Sequence, residues 1–257
     1  MEAILESCCG LDVHRHTVVA CLLAGSLDQR PRKEIRTFST MSNGLKELLA
    51  WLQSERCTHV AIESTGTYWK PVFQVLEGHF NIKLANAQRI KNVSGRKNDI
   101  SDAEWIAKLL RSGHIAGSFV PPQDIRTLRE LTRHKKKLIQ NITIEKNRIQ
   151  KLLDTAGNKL ASAVSDVFGV TGRVILQHLM DHGEIDALDI KLSLHHRFLL
   201  RGSWAHLRFL EQSLADIDAQ IDSLLTRQVE VESLGGIHGI DRNAASIILP
   251  EIEVKLH

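Results

Sequence analysis

A chain of 257 residues with 43% apolar and 25% charged side chains has the composition of an ordinary globular protein, with core for one large domain or two smaller ones. The net charge of +3 is too small to announce a polyanionic partner by itself, so any such signal must be local. Met1–Glu6 lacks a basic leader region and no apolar run approaches a membrane span, which excludes a membrane class and predicts an intracellular, bacterial cytoplasmic protein. Cys8, Cys9, Cys21 and Cys57 have no ligand spacing and are expected as reduced core residues without zinc.

Residues 1–118 alternate between strand and helix patterns. The apolar runs Cys8-Cys-Gly-Leu-Asp-Val13 and Thr17-Val-Val-Ala-Cys-Leu-Leu23 predict a β-hairpin over 8–24, and Lys33–Phe38 predicts a third short strand. Ser42 is placed as the cap of an amphipathic helix through Leu45–Leu52. A strand at 59–63, a turn at Ser64-Thr-Gly-Thr67, a helix to about Leu76 and a strand at 80–84 follow. A helical pattern runs from Asp99 to Leu110, which would put Asp99 and Asp102, three apart, on one face. Three meandering strands followed by crossover units is the order of a ribonuclease-H-like α/β fold.

Pro121-Pro122 punctuates the boundary to a helical region over 119–232. Leu128, Leu131, Lys135, Leu138, Ile142, Glu145, Ile149 and Leu152 recur at spacings of three and four, a heptad seam. A partner seam runs through Leu207, Leu210, Leu214, Ile217, Ile221, Leu224 and Val231, so two long helices should return antiparallel or pair between subunits as a coiled coil. The stretch between them, 164–200, reads as helix with glycine breaks. Residues 233–257 carry a Gly-Ile turn at Gly239 before a helical pattern near Asn243, similar to a helix-hairpin-helix element that meets phosphate through backbone N–H groups. Asp241 stands at that pattern's second glycine position.

Four carboxylates carry the chemistry. Asp12 lies in the first core strand and Glu63 ends another, while Asp99 and Asp102 open a helical pattern. An aspartate on a core strand is costly to bury unless it is paired or binds a cation. Hard oxygen donors gathered from two strands and a helix describe a Mg²⁺ or Mn²⁺ site, so all four are candidate catalytic and metal-binding residues. Basic residues cluster beside them. Arg89, Lys91, Arg96 and Lys97 precede Asp99 with no acid between Lys83 and Asp99, and Arg133, Lys135, Lys136 and Lys137 belong to a second run. With Gly239, these are the candidate nucleic-acid contacts. His14 and His16 flank the hairpin turn, where a hydrogen-bonding or surface role is expected, and Tyr68 and Trp69 are expected in the core.

The stretches Gly10-Leu-Asp-Val13, Ala61-Ile-Glu-Ser-Thr-Gly-Thr-Tyr68, Lys97-Asn-Asp-Ile-Ser-Asp-Ala103, Leu128-Arg-Glu-Leu-Thr-Arg133 and the Gly239 turn together resemble the DEDD-type insertion-sequence transposases, the bridge-RNA-guided recombinases. That resemblance implies a RuvC-like domain over 1–118, a coiled-coil region over 119–232 and the start of a C-terminal domain over 233–257. It also implies dimers or tetramers acting on DNA with a structured guide RNA and Mg²⁺ or Mn²⁺, in a bacterial, nucleoid-associated setting. The family's nucleophilic serine lies beyond the Gly-Ile turn, and no serine follows Ser246 here, so the chain is expected to be a truncated member. Two other readings stand beside it: a junction-resolving nuclease using the carboxylates and water, and a non-catalytic nucleic-acid-binding remnant.

Overall fold

The computed structural model describes residues 2–64, 66–86, 90, 101–156 and 164–225. The chain divides into two units, Met1–Val120 and Pro121–His257.

The first unit is built on a hairpin. β1 (Ser7–Val13) pairs antiparallel with β2 (Thr17–Ala24), from Ser7 opposite Ala24 to Val13 opposite Val18. β3 (Arg32–Ser39) continues the meander against β2. β4 (His59–Glu63) adds to the other side of β1 in parallel, and β5 (Asn81–Ala85) adds to β4 in parallel. The sheet order β3-β2-β1-β4-β5 is ribonuclease-H-like, with β1 at its centre. The unit thus has a ribonuclease-H-like α/β topology. β3 is mostly exposed, and the charges of Arg32, Lys33, Glu34 and Arg36 blunt it as an edge.

Side chains of β1 alternate between two cores, as a strand covered on both faces requires. Cys9, Leu11 and Val13 join Val60 and Ile62 beneath α1 (Ser42–Ser54) and α2 (Trp69–Leu76). Cys8 joins Cys21, Leu23 and Ala61 beneath α3 (Asp102–Arg111). Four apolar positions of α3, Ala103, Ile106, Ala107 and Leu110, recur at helical spacing and are buried on the sheet. All four cysteines are buried and free. Burial pushes the thiols of Cys8 and Cys57 up to about 12 and that of Cys21 up to about 11, consistent with inert core residues.

In the second unit, α4 (Gln123–Thr155) and α6 (Leu194–Leu225) pack antiparallel, as shown by the ion pairs Lys135–Asp218 at 2.7 Å and Glu145–His206 at 3.0 Å. Leu138, Ile142, Ile149 and Leu153 fill the seam against Leu200, Leu207 and Leu210. α5 (Val170–Asp181) closes this core, tied to α6 by the two-pronged Arg173–Glu211 bridge at 2.9 and 2.6 Å.

Four expectations are corrected. Ser42 lies inside α1, whose cap is Met41. The hydroxyl that helps the entry is Ser39, which accepts from the Met41 N–H at 3.1 Å. α3 begins at Asp102, not Asp99, because extended Ser101 is its cap and accepts from the Glu104 N–H at 3.3 Å. Asp99, expected to share a helix face with Asp102, lies outside the described residues. The stretch 164–200 is not continuous helix: β6 (Glu184–Ile185) and β7 (Ile190–Lys191) form a small hairpin whose turn places Asp189 at φ 50°. Tyr68 is exposed at 47%, whereas Trp69 packs edge-on against Phe73 at 5.8 Å.

Candidate carboxylate site

The two parallel strands β1 and β4 bring Asp12 and Glu63 to the same end of the sheet. Their paired register runs from Cys8 opposite His59 to Leu11 opposite Ile62, one residue short of both carboxylates. Strand alternation then sets the face. Cys8 and Ala61 point to the α3 side, so Asp12, four residues past Cys8, and Glu63, two past Ala61, lie on that side too.

α3 supplies the third acid. Its backbone lies directly on Gly10: a Cβ there would sit 2.4 Å from the Ala103 carbonyl and 2.4 Å from the Ala107 nitrogen. A glycine inside an otherwise apolar strand marks such close approach, and this was the sequence signal for how the site is assembled. With α3 seated on Gly10, its first residue, Asp102, comes to the end of the sheet that bears Asp12.

The electrostatics agree with this placement. Burial pushes the Asp12 carboxyl above the ordinary aspartate value, and the negative charges of Asp102 and Glu63 push it further. His14 opposes them, with its Nε2 3.2 Å from Asp12 Oδ2. The Asp12 side chain is 18% exposed and His14 is 60% exposed, so Asp12 is the sheltered member of the pair. His16 is exposed. The turn after Glu63 places Gly66 at φ +62°, a conformation that suits glycine.

Asp12 thus feels the charges of both Glu63, from the neighbouring strand, and Asp102, from the start of α3. Among the described residues no three His, Cys, Asp or Glu side chains are grouped closely enough to hold a metal ion. The donor set is nonetheless all oxygen, and an excess of negative charge at a sheltered aspartate is what a hard divalent cation neutralises.

The candidate nucleic-acid contacts divide. Arg133, Lys136 and Lys137 are exposed on α4. Lys135 turns inward: its side chain is 14% exposed and its ammonium is held by Asp218 at 2.7 Å. Arg89, Lys91, Arg96, Lys97 and Gly239 lie outside the described residues. No helix among the described residues is long and apolar enough to cross a membrane.

A pilin gene-inverting protein from Moraxella bovis is 29% identical over 109 residues, a match covering 38% of this chain and 32% of that protein. The chain therefore spans about a third of the length of the curated relative it matches. T. thermophilus RuvC in complex with Holliday junction substrate is similar at a TM-score of 0.32 and 12% identity, covering 44% of this chain and 100% of that one. The profile of the IS110-type DEDD transposases, described as a transposase family, matches residues 9–157, a stretch that holds all four candidate carboxylates together with α4, and this chain belongs to that family.

Proposed function

We propose that this chain is the carboxylate-bearing part of an insertion-sequence transposase or recombinase, which cuts and exchanges DNA strands with a divalent metal ion under the direction of a structured guide RNA. The observation that supports this most is that Asp12 and Glu63 end neighbouring strands on the side covered by α3, which opens with Asp102, inside the stretch matched by a transposase family. Asp99, from the same stretch, is the fourth acid of the set.

Bound Mg²⁺ or Mn²⁺ would supply polarisation of the scissile phosphate and charge stabilisation of the oxygens on either side of phosphorus. The side chains that would hold it are Asp12, Glu63, Asp102 and Asp99. Asp12 is the anchor, because it lies on the central strand of the sheet, its backbone still paired with Val19 of β2. His14 orients the Asp12 carboxylate through the 3.2 Å contact. Exposed Arg133, Lys136 and Lys137 meet the phosphate backbone of DNA or RNA, and Lys135 does not. Two or four copies act together through the long helices, in the nucleoid of a bacterial cytoplasm.

The test is strand cleavage and exchange by a complete transposase that carries this part, on DNA bearing the element's ends, with the RNA transcribed from those ends and Mg²⁺. Asp12→Asn, Glu63→Gln, Asp99→Asn and Asp102→Asn should each reduce exchange to background, and omission of the RNA should abolish target choice. Full exchange by Asp102→Asn would overturn the assignment of the carboxylates. Exchange that is unchanged without RNA would overturn the guide.

A further inference from the structure

The face of α3 that runs from Glu104 to Arg111 borders a cavity that the carboxylate chemistry does not use. It has a volume of about 670 Å³ and lies between the N-terminal segment, the β2–β3 connection and α3. Leu23, Leu27, Pro31 and Trp105 give it an apolar wall. Four basic residues, Arg30, Lys33, Lys108 and Arg111, line it against two acids, Glu2 and Glu104, an excess of two positive charges.

Three of these cations are held in place. Glu104, 8% exposed, receives Lys33 at 3.0 Å on one carboxylate oxygen and Lys108 at 2.7 Å on the other. One carboxylate thus fixes two neighbouring ammonium groups, each with three donors, and neutralises only one of them. Arg111 is 5% exposed and has no carboxylate partner among the described residues. Its Nε donates to the Leu5 carbonyl at 3.1 Å, and its Nη2 to the carbonyls of Gly25 and Ser26 at 3.1 and 3.0 Å. Those bonds satisfy donors and leave the charge without a counter-ion. A sheltered cation of this kind is costly unless an anion arrives. The negative end of the α3 dipole works against an anion here, and Lys108 and Arg111 in its last turn offset it.

We infer that this cavity binds a phosphate group carried on a flat or apolar body, with Arg111 and Lys108 on the phosphate, Lys33 beside them and the Leu23–Trp105 wall on the body. Two sources share that chemistry: a free 5′-mononucleotide and the 5′-phosphorylated end of a nucleic-acid strand. Glu104 is the positioning residue. It aligns the lysines and, as an acid in the site, limits the affinity.

The experiment is calorimetric titration of the full chain with AMP at low salt in EDTA. It is repeated with single-stranded oligonucleotides of one sequence bearing either a 5′-phosphate or a 5′-hydroxyl. Working without divalent metal keeps the result independent of the carboxylate site. Lys108→Gln should weaken binding about tenfold, as expected for loss of one charged hydrogen bond. Glu104→Gln should tighten it severalfold, a sign that a purely structural role for Glu104 would not give. AMP binding with that pattern identifies the free nucleotide. The same pattern seen only with the 5′-phosphorylated strand identifies the strand end. Absence of phosphate-dependent binding to wild type, or affinity that does not weaken in Lys108→Gln and rise in Glu104→Gln, overturns the inference.

Discussion

Gly10 of β1 and Ala107 of α3 touch backbone to backbone, so closely that a methyl group on Gly10 would stand 2.4 Å from the Ala107 nitrogen. The neighbouring Cys8 thiol donates to the Ala107 carbonyl at 3.6 Å, so the helix is fixed to the central strand by its main chain. Gly10→Ala should therefore destabilise the α/β unit by about 2 kcal/mol or more, the cost of overpacking a site that cannot yield. Urea denaturation followed by tryptophan fluorescence measures this. A midpoint equal to wild type would mean that α3 does not lie on Gly10. Strand exchange by the folded variant should also fall, since Asp102 moves with its helix.

Magnesium should stabilise the wild-type chain by mass action, because a cation that neutralises Asp12, Glu63 and Asp102 binds only the folded state. Thermal melting at several Mg²⁺ concentrations should show a rise that Asp12→Asn abolishes. Equal rises in the two proteins would place the cation elsewhere.

Glu104 makes an acid-sensitive contribution of known sign. Its carboxyl is held below the ordinary glutamate value of 4.5, first by the hydrogen bond from Lys108 and then by that from Lys33. The stabilisation is complete above that ordinary value and is lost as pH falls through the lowered one. Glu104→Gln should thus cost on the order of 1 kcal/mol near neutrality, discounted because both lysines are partly in water. The gap from wild type should close as the pH drops below about 4. A gap that is constant from pH 7 to pH 3 would count against the pairing.

The helical unit contains a polar group that its stability does not need. Glu145 is 2% exposed, its Oε2 is held by Arg148 at 2.9 Å and His206 at 3.0 Å, and its buried Oε1 has no hydrogen-bond partner among the described residues. Glu145→Leu should raise the stability of the α4–α6 pair by about 1 kcal/mol, because it removes a buried oxygen without a partner and leaves Arg148 and His206, both more than half exposed, to water. A destabilised variant would show that the ion pairs, not the surrounding leucines, hold the seam together.

Much of this was legible in the sequence. β1, β2 and β4 were readable from runs of apolar residues and β3 and β5 from shorter alternating stretches, and the places of Asp12 and Glu63 followed from their positions in those runs. The seam of α4 was readable from its spacing, including its two polar interruptions, because Lys135 and Glu145 keep the phase of the leucines around them. The start of α3 was not readable. Asp99 is as good a cap on paper as Ser101, and only the backbone decides between them. The hairpin of β6 and β7 was missed because strands of two residues are too short to show a period. Tyr68 was misplaced because an aromatic next to a core helix is ordinarily buried. The cavity beneath Trp105 was invisible, since its cations come from the β2–β3 connection, a strand and a helix distant in sequence.

The seating of α3 makes the candidate site depend on a length. Five residues of helix, about 7.5 Å, separate the fixed point at Ala107 from Asp102. One residue inserted or deleted between them would turn Asp102 about 100° around the axis and carry it off the sheet edge, with every side chain of the site still present. Substitutions in this span are graded by size, whereas changes in its count are all-or-none. Homologous proteins that keep this chemistry should therefore vary in the identity of these residues and agree in their number.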